Sequence, residues 1–339
     1  MLRFSPRYLL LALLATGCGP RGDAPAIGEG FVAPATLNLR KELGPRQPSV
    51  ATVEHGERVE ILARRRRFVE VRTASGAVGW TDGALLFTPE QMDDLRALGQ
   101  RAGSLPSQGE ATVLDALNVH TEADRQSASF HQVKEGEHVA VVEHRLVSVP
   151  PRTEDWSLVR IPGAKAGWVL TRNLVMAIPD EVAQYAEGHR ITSYFPLGEV
   201  TDNGQVKRDW LWTTITKGLE PYEFDSARVF VWSLRRHHYE TAFIERNLKG
   251  YYPVEVNKQA GSPVSFSLIV EEKDGQRFKR TYAFQGYHVR LTAKAPWAAA
   301  PGTAPAPASP AARQAQAQKP WLTRIGEQLG EWRRRLLRR

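Results

Sequence analysis

Apolar and β-branched residues fall in short runs along most of the chain, and glycine, asparagine or proline turns separate them. Such punctuation predicts strands far more than helices. Val59-Glu60-Ile61-Leu62 follows a turn at Gly56, and Val139-Ala140-Val141-Val142 follows one at Gly136. Phe68-Val69-Glu70-Val71-Arg72 and Trp156-Ser157-Leu158-Val159-Arg160 are the next strands, closed by Ser75-Gly76 and Pro162-Gly163. Thr88-Pro89-Glu90-Gln91 opens like a capped helix with proline in the first turn. Met92, Leu95 and Leu98 give it a narrow apolar stripe before Gly99, and 102–109 is loop. A further short helix is expected over 179–190, with Val182, Tyr185 and Ala186 on one face.

Beyond 190 the pattern becomes strongly β. Runs over 191–200 and 206–215 flank Thr201-Asp202-Asn203-Gly204, and Asn-Gly is the strongest short hairpin signal. Val229-Phe230-Val231-Trp232 is a continuous bulky run, as expected of a strand buried on both faces, and 235–237 turns it into 239–244. Runs over 264–270 and 277–284 pair across Lys273-Asp274-Gly275. An antiparallel domain of about six strands, a sandwich or a barrel, is the expectation for 179–293.

The chain also repeats itself. Leu37-Asn38-Leu39-Arg40 is echoed by Leu117-Asn118-Val119-His120, and the glycine turns, the aromatic-x-x-Val-Arg strands, Gly79-Trp80 and Gly167-Trp168, and Leu86 and Leu174 follow in the same order. The offset is 80 residues in the first half and 88 in the second, which localises an eight-residue insertion between Val142 and Trp156. Units of this size with several short strands close into small barrels, which removes exposed edges. These landmarks resemble the bacterial SH3 family over about 35–87 and 112–176. That resemblance implies two SH3-like barrels and, as partners, cell-wall peptide, peptidoglycan or an envelope protein, with such modules also found beside wall-cleaving catalytic domains. The second copy departs at His120, where the family carries arginine, and at the long 145–155 hairpin with Pro150-Pro151.

Composition and charge narrow the picture. The formal net charge is +8, yet residues 18–311 hold 35 basic and 35 acidic side chains, so the body offers no broad footprint for phosphate backbones. The excess lies at the ends. Met1 to Arg7 is basic, 8–15 is apolar and far too short to span a bilayer, and Ala15-Thr16-Gly17 lead into Cys18, the only cysteine. This resembles the leader and lipobox of bacterial lipoproteins, with Ala15 where leucine is usual. It implies lipidation of Cys18, anchoring by several acyl chains, and an extracytoplasmic body. In Gram-negative lipoproteins a non-acidic residue such as Gly19 after the cysteine favours the outer membrane. Disulfides within the chain and cysteine-based zinc sites are excluded.

At the other end, 294–319 is an Ala/Pro-rich stretch expected to be a disordered linker. Trp321, Ile325, Leu329, Trp332 and Leu336 then form one apolar stripe on a basic helix that includes Arg333, Arg334 and Arg335. Such a helix suits anionic lipid or a partner surface, or it docks back on its own body.

Chemistry-bearing residues are few. Arg64, Arg65, Arg66 and Arg67 form either a solvated hairpin tip or a contact to an anionic polymer or headgroup. Trp80 and Trp168 are either core or ligand platforms. His237 and His238 are adjacent on a strand and point to opposite faces, and no metalloprotease or nucleophile-elbow motif is present. The whole therefore reads as a mainly β chain: leader 1–17, tether 18–34, two SH3-like barrels (35–87, 112–176) joined by a helical connector 88–111, the antiparallel β domain 179–293, the linker, and the C-terminal amphipathic helix 320–339. The expected function is non-catalytic binding or scaffolding at the cell envelope, without cofactor, metal or nucleic acid. The alternative is a cell-wall hydrolase with an active site somewhere in 190–293.

Overall fold

The structure is a computed structural model that describes residues 25–298 except 45, 150 and 164. Cys18, the expected leader, most of the expected linker and the expected helix with Trp321, Ile325, Leu329, Trp332, Leu336 and Arg333–Arg335 lie outside the described residues. The rest is mainly β and antiparallel, in three seven-stranded sheets. Two compact units divide it, one ending at Ala97 and also holding Ser129–His131, the other taking the remainder.

The first sheet is built from β1 (Gly28–Val32), β2 (Thr36–Arg40), β3 (Ser49–Glu54), β4 (Arg58–Arg65), β5 (Phe68–Thr73), β6 (Val78–Asp82) and β7 (Leu86–Phe87), in the order β3-β2-β6-β5-β4-β1-β7. The second comprises β8 (Glu110–Val113), β9 (Leu117–His120), β10 (Ser129–Val133), β11 (His138–Val149), β12 (Arg152–Ile161), β13 (Lys165–Leu170) and β14 (Leu174–Met176), in the order β10-β9-β13-β12-β11-β8-β14. Strand for strand the two orders are the same. The internal repeat is thus a repeat of topology. Each copy also has an opening strand, β1 or β8, that precedes the landmarks visible in sequence, so the expected starts at 35 and 112 omit all of β1 and the first half of β8.

Local details repeat too. A bulge interrupts the pairing between Ile61 and Ala63 in one copy and between Val141 and Glu143 in the other, 80 residues on. Arg40 pairs with Trp80, and His120 with Trp168. Arg40 Nη1 donates to the Gln47 carbonyl at 2.7 Å, while His120 Nδ1 lies 3.2 Å from the equivalent Ser127 carbonyl. Histidine at 120 therefore serves the same backbone acceptor with a shorter side chain. The insertion appears as four extra cross-strand pairs in β11–β12, from Leu146–Asp155 out to Val149–Arg152.

The connector helix α1 (Pro89–Ser104) starts with a reciprocal cap, Gln91 N–H to Thr88 Oγ1 and Thr88 N–H to Gln91 Oε1. It runs five residues past the glycine expected to end it. The third sheet contains β15 (Arg190–Asp202), β16 (Gln205–Ile215), β17 (Phe224–Ser233), β18 (His238–Asn257), β19 (Val264–Glu271), β20 (Arg277–Gln285) and β21 (His288–Pro296) in simple sequence order, one strand more than expected. Asn203 and Gly204, both at positive φ, make the tight β15–β16 turn. Its central strands are buried on both faces. Leu211, Val229 and Val231 join one apolar cluster, and Trp210, Trp212 and Phe230 join another on the opposite face, covered by Val182 of the short helix α2 (Asp180–Ala183). Period-two alternation explains this division, since neighbours on a strand face opposite ways.

Candidate functional site

The lengthened β11–β12 hairpin carries an ionic cluster that meets the third sheet. His144 Nε2 lies 2.6 Å from Asp155 Oδ1, and its Nδ1 lies 3.7 Å from Glu223 Oε1. Arg190, which opens β15, donates from Nη1 to the other Asp155 oxygen at 3.1 Å. Glu223, just before β17, accepts the Tyr252 N–H at 3.2 Å, and the Tyr252 hydroxyl donates to the Thr192 carbonyl. His144, Asp155 and Glu223 are all nearly buried, so their charges interact with little screening by water.

The titration of the cluster follows from that geometry. Burial alone would push His144 down, but its hydrogen bonds to Asp155 and Glu223 and the charges of those carboxylates outweigh it and lift the imidazole to about 9. Burial likewise opposes the charged form of Asp155, yet His144, Arg190 and a Thr171 hydrogen bond hold it at about 2. At neutral pH, therefore, a charged His144 imidazolium faces an ionised Asp155. Both imidazole nitrogens face carboxylates, so His144 has no lone pair with which to accept a proton from a substrate. Ser157, which pairs with His144 across the hairpin, shares its hydroxyl hydrogen bond with Thr171 at 2.8 Å instead.

Beside the cluster opens a cleft of about 410 Å³. Tyr251, Tyr252 and Trp297 supply aromatic surface, Arg145 and Arg277 positive charge, and Glu143 and Glu220 negative charge. Arg145 stacks over the Trp168 ring at 4.3 Å and pairs with Glu143 at 2.9 Å, while Arg277 stacks over Tyr251 at 3.5 Å. The guanidiniums are thus held in fixed planes, and burial beside the Glu271 hydrogen bond raises the Tyr251 hydroxyl to about 12, so it stays protonated. The arrangement can receive a ligand that bears both charges and some apolar surface.

Arg64 to Arg67 are exposed at the tip of the β4–β5 hairpin, with Arg66 at φ 57° and Arg67 paired to Asp82 at 3.3 Å. Trp80 is half-buried, and Trp168 is 2% exposed beneath Arg145. None of the four arginines lines the cleft; Trp168 meets it only through Arg145. His237 Nδ1 lies 2.7 Å from Asp202, and His238 sits apart near Glu240. Among the described residues no group of His, Cys, Asp and Glu has metal-holding geometry. Sequence reading missed His144, Asp155, Arg190 and Glu223. Their one linear trace was the insertion within the second copy, which holds His144 and Asp155; Arg190 and Glu223 come from segments far along the chain.

Fold and site together define a mainly antiparallel β chain with a duplicated seven-stranded unit and a charged, aromatic-walled cleft. No family model matches the chain, and no curated protein matches it. Among solved structures it is similar to an NlpC/P60 family protein from Bacillus cereus ATCC 10987, at 11% identity and a TM-score of 0.23, over 51% of this chain and 65% of that one. It is also similar to NlpC2 from Trichomonas vaginalis, at 12% identity and a TM-score of 0.16, over 65% of this chain and 97% of that one. NlpC1 from the same organism gives 12% and 0.16 over 83% and 96%. At these values the likeness defines neither a shared overall fold nor a shared site.

Proposed function

We propose that this chain is an extracytoplasmic lipoprotein, anchored through Cys18, that binds peptide without transforming it. On this reading the two repeats are bacterial SH3-type barrels, supported by their identical strand order, shared bulge and shared Arg40/His120 to tryptophan pairing. The cleft beside β11–β12 is the binding site, and a wall peptide, or a peptide segment of an envelope protein, has the matching chemistry of carboxylates, amines and short apolar side chains. Arg145 and Arg277 would take the carboxylates, Glu143 and Glu220 the amines. The exposed Arg64–Arg67 tip and the half-buried Trp80 would add contacts to anionic wall material, and the basic C-terminal helix 320–339 a contact to anionic lipid.

The observation that carries the reading is His144 clamped between Asp155 and Glu223. A histidine held charged up to about pH 9 is a fixed cation in the wall of a binding cleft, unsuited to general-base work at neutral pH. The test uses purified peptidoglycan. Retention of the full-length protein on the wall, with no muropeptides released into solution, is the expected result. Release of muropeptides by the wild-type protein would overturn the non-catalytic reading, and absence of retention together with no binding of soluble wall peptides would overturn the proposed ligand.

A further inference from the structure

The third sheet carries a second cavity, of about 430 Å³, separate from the cleft and lined by β16, β17 and β18 near the turn after α2. Register places its floor. Trp212 pairs with Arg228, Thr214 with Ser226, and Ser226 with Arg246. Cross-strand partners share a face, so Arg228 and Arg246 stand diagonally on the same side of the sheet. Like charges so placed repel unless something negative lies between them.

The protein places two carboxylates, Glu187 and Asp225, at the same cavity, but neither forms an ion pair with either arginine. Arg228 is half-buried, and Nη1 donates to the Tyr185 carbonyl at 3.2 Å. No carboxylate of the described residues lies within ion-pair distance of Arg228 or Arg246, although each guanidinium has five donors. Asp225 accepts the Thr216 N–H at 2.9 Å, and Lys249 pairs with Glu271 at 3.1 Å. Glu187 attracts Arg228 from a distance without pairing to it. Arg228 and Arg246 therefore keep guanidinium donors that no described carboxylate takes up, and both residues line the cavity.

We infer that this cavity is an anion site, in which Arg228 and Arg246 together grip one carboxylate or phosphate group of a ligand about the size of a single sugar. Two planar guanidiniums on one face suit a bidentate oxyanion. The hydroxyls of Thr214, Ser226 and Tyr222 line the same space and suit the hydroxyls of a sugar ring. This inference is independent of the peptide-binding cleft, which shares none of these residues.

The test is a titration of the full-length protein in detergent with glucose, glucuronate and glucose 6-phosphate, which differ only in the anion they carry. At least one of the acids binds, and glucose binds at least tenfold more weakly; which acid wins tells carboxylate from phosphate. Arg246→Ala, at an exposed position, leaves the far-UV spectrum unchanged and weakens the acid at least tenfold, whereas Arg208→Ala, exposed on the same sheet outside the cavity, does not. Arg228→Lys keeps the charge, loses the fork and also weakens binding. Equal binding of glucose, no binding of either acid at about 10 mM, or an Arg246→Ala variant that binds like wild type would each overturn the assignment.

Discussion

The side chain of Gln108 grips the backbone of Val254 at both ends: its Oε1 accepts the Val254 N–H at 2.9 Å, and its Nε2 reaches the Val254 carbonyl at 3.4 Å. The two are 146 residues apart and both fully buried. Strand β17 begins at Phe224, opposite Gly250, and the β18–β19 register shifts between Tyr251 and Glu255. Past Gly250, then, one edge of β18 has no β17 neighbour, and two side chains stand in for it, Glu223 at the Tyr252 N–H and the Gln108 amide at Val254. The Gln108 main chain is engaged as well, donating to the Val141 carbonyl and accepting the Tyr194 N–H. A glutamine in a segment read as loop thus ties the second repeat to the third sheet.

Gln108→Ala leaves a buried N–H and C=O without partners, each costing about 1–3 kcal/mol. Urea denaturation should show a loss of roughly 2–4 kcal/mol with the secondary structure retained. A loss below about 0.5 kcal/mol, the level of an ordinary surface substitution, would mean that water replaces the amide.

The His144–Asp155 pair predicts a window of stability. His144 is raised from 6.5 to about 9, so its contribution is complete below 6.5 and lost as pH climbs through 9. Asp155 is depressed from 3.8 to about 2, so its contribution is complete above 3.8 and lost as pH falls through 2. Between about pH 4 and 6.5 the wild type should exceed His144→Gln by something of the order of 2–3 kcal/mol. That difference should shrink toward pH 9. A gap independent of pH would show that His144 acts by packing alone.

Gly250 lies opposite Phe224, and a Cβ there would fall 2.0–2.3 Å from three atoms of the buried ring. Gly250→Ala should therefore lower stability by about 3 kcal/mol or more, since an overpacked core cannot relax around an aromatic ring. Because the Gly250 carbonyl also accepts the Glu223 N–H, the same change should lower the His144 pKa, readable by NMR titration of the imidazole. An unchanged melting temperature would contradict the close packing.

Arg66 sits at φ 57° in a two-residue hairpin turn, a conformation that costs a residue with a Cβ roughly 1 kcal/mol. Arg66→Gly should gain part of that, about 0.5–1 kcal/mol, while weakening attachment to anionic wall polymer in a salt-sensitive way. Stability and wall retention measured on the same variant separate the two effects.

Cys18→Ser should abolish acylation and move the protein from the membrane to the soluble fraction, without altering wall retention by the purified body. Intact mass and fractionation report it directly; a wild-type product recovered unacylated and soluble would remove the anchor.

The sequence by itself determined the local and periodic features. The duplication, the insertion, the Asn203-Gly204 turn and the doubly buried strand at 229–232 were all legible, because turn chemistry and side-chain alternation are properties of neighbouring residues. The insertion was placed correctly between Val142 and Trp156, yet only the structure revealed it as four added pairs that bring Asp155 beside His144. Tertiary structure alone decided the cluster with Arg190 and Glu223, the use of Gln108 as a substitute strand, and the convergence of Arg228 and Arg246 on one cavity. Each depends on segments far apart in the chain being brought together, and a shift of one residue in strand register would send the strand-borne members, His144, Asp155, Arg190, Arg228 and Arg246, to the other face.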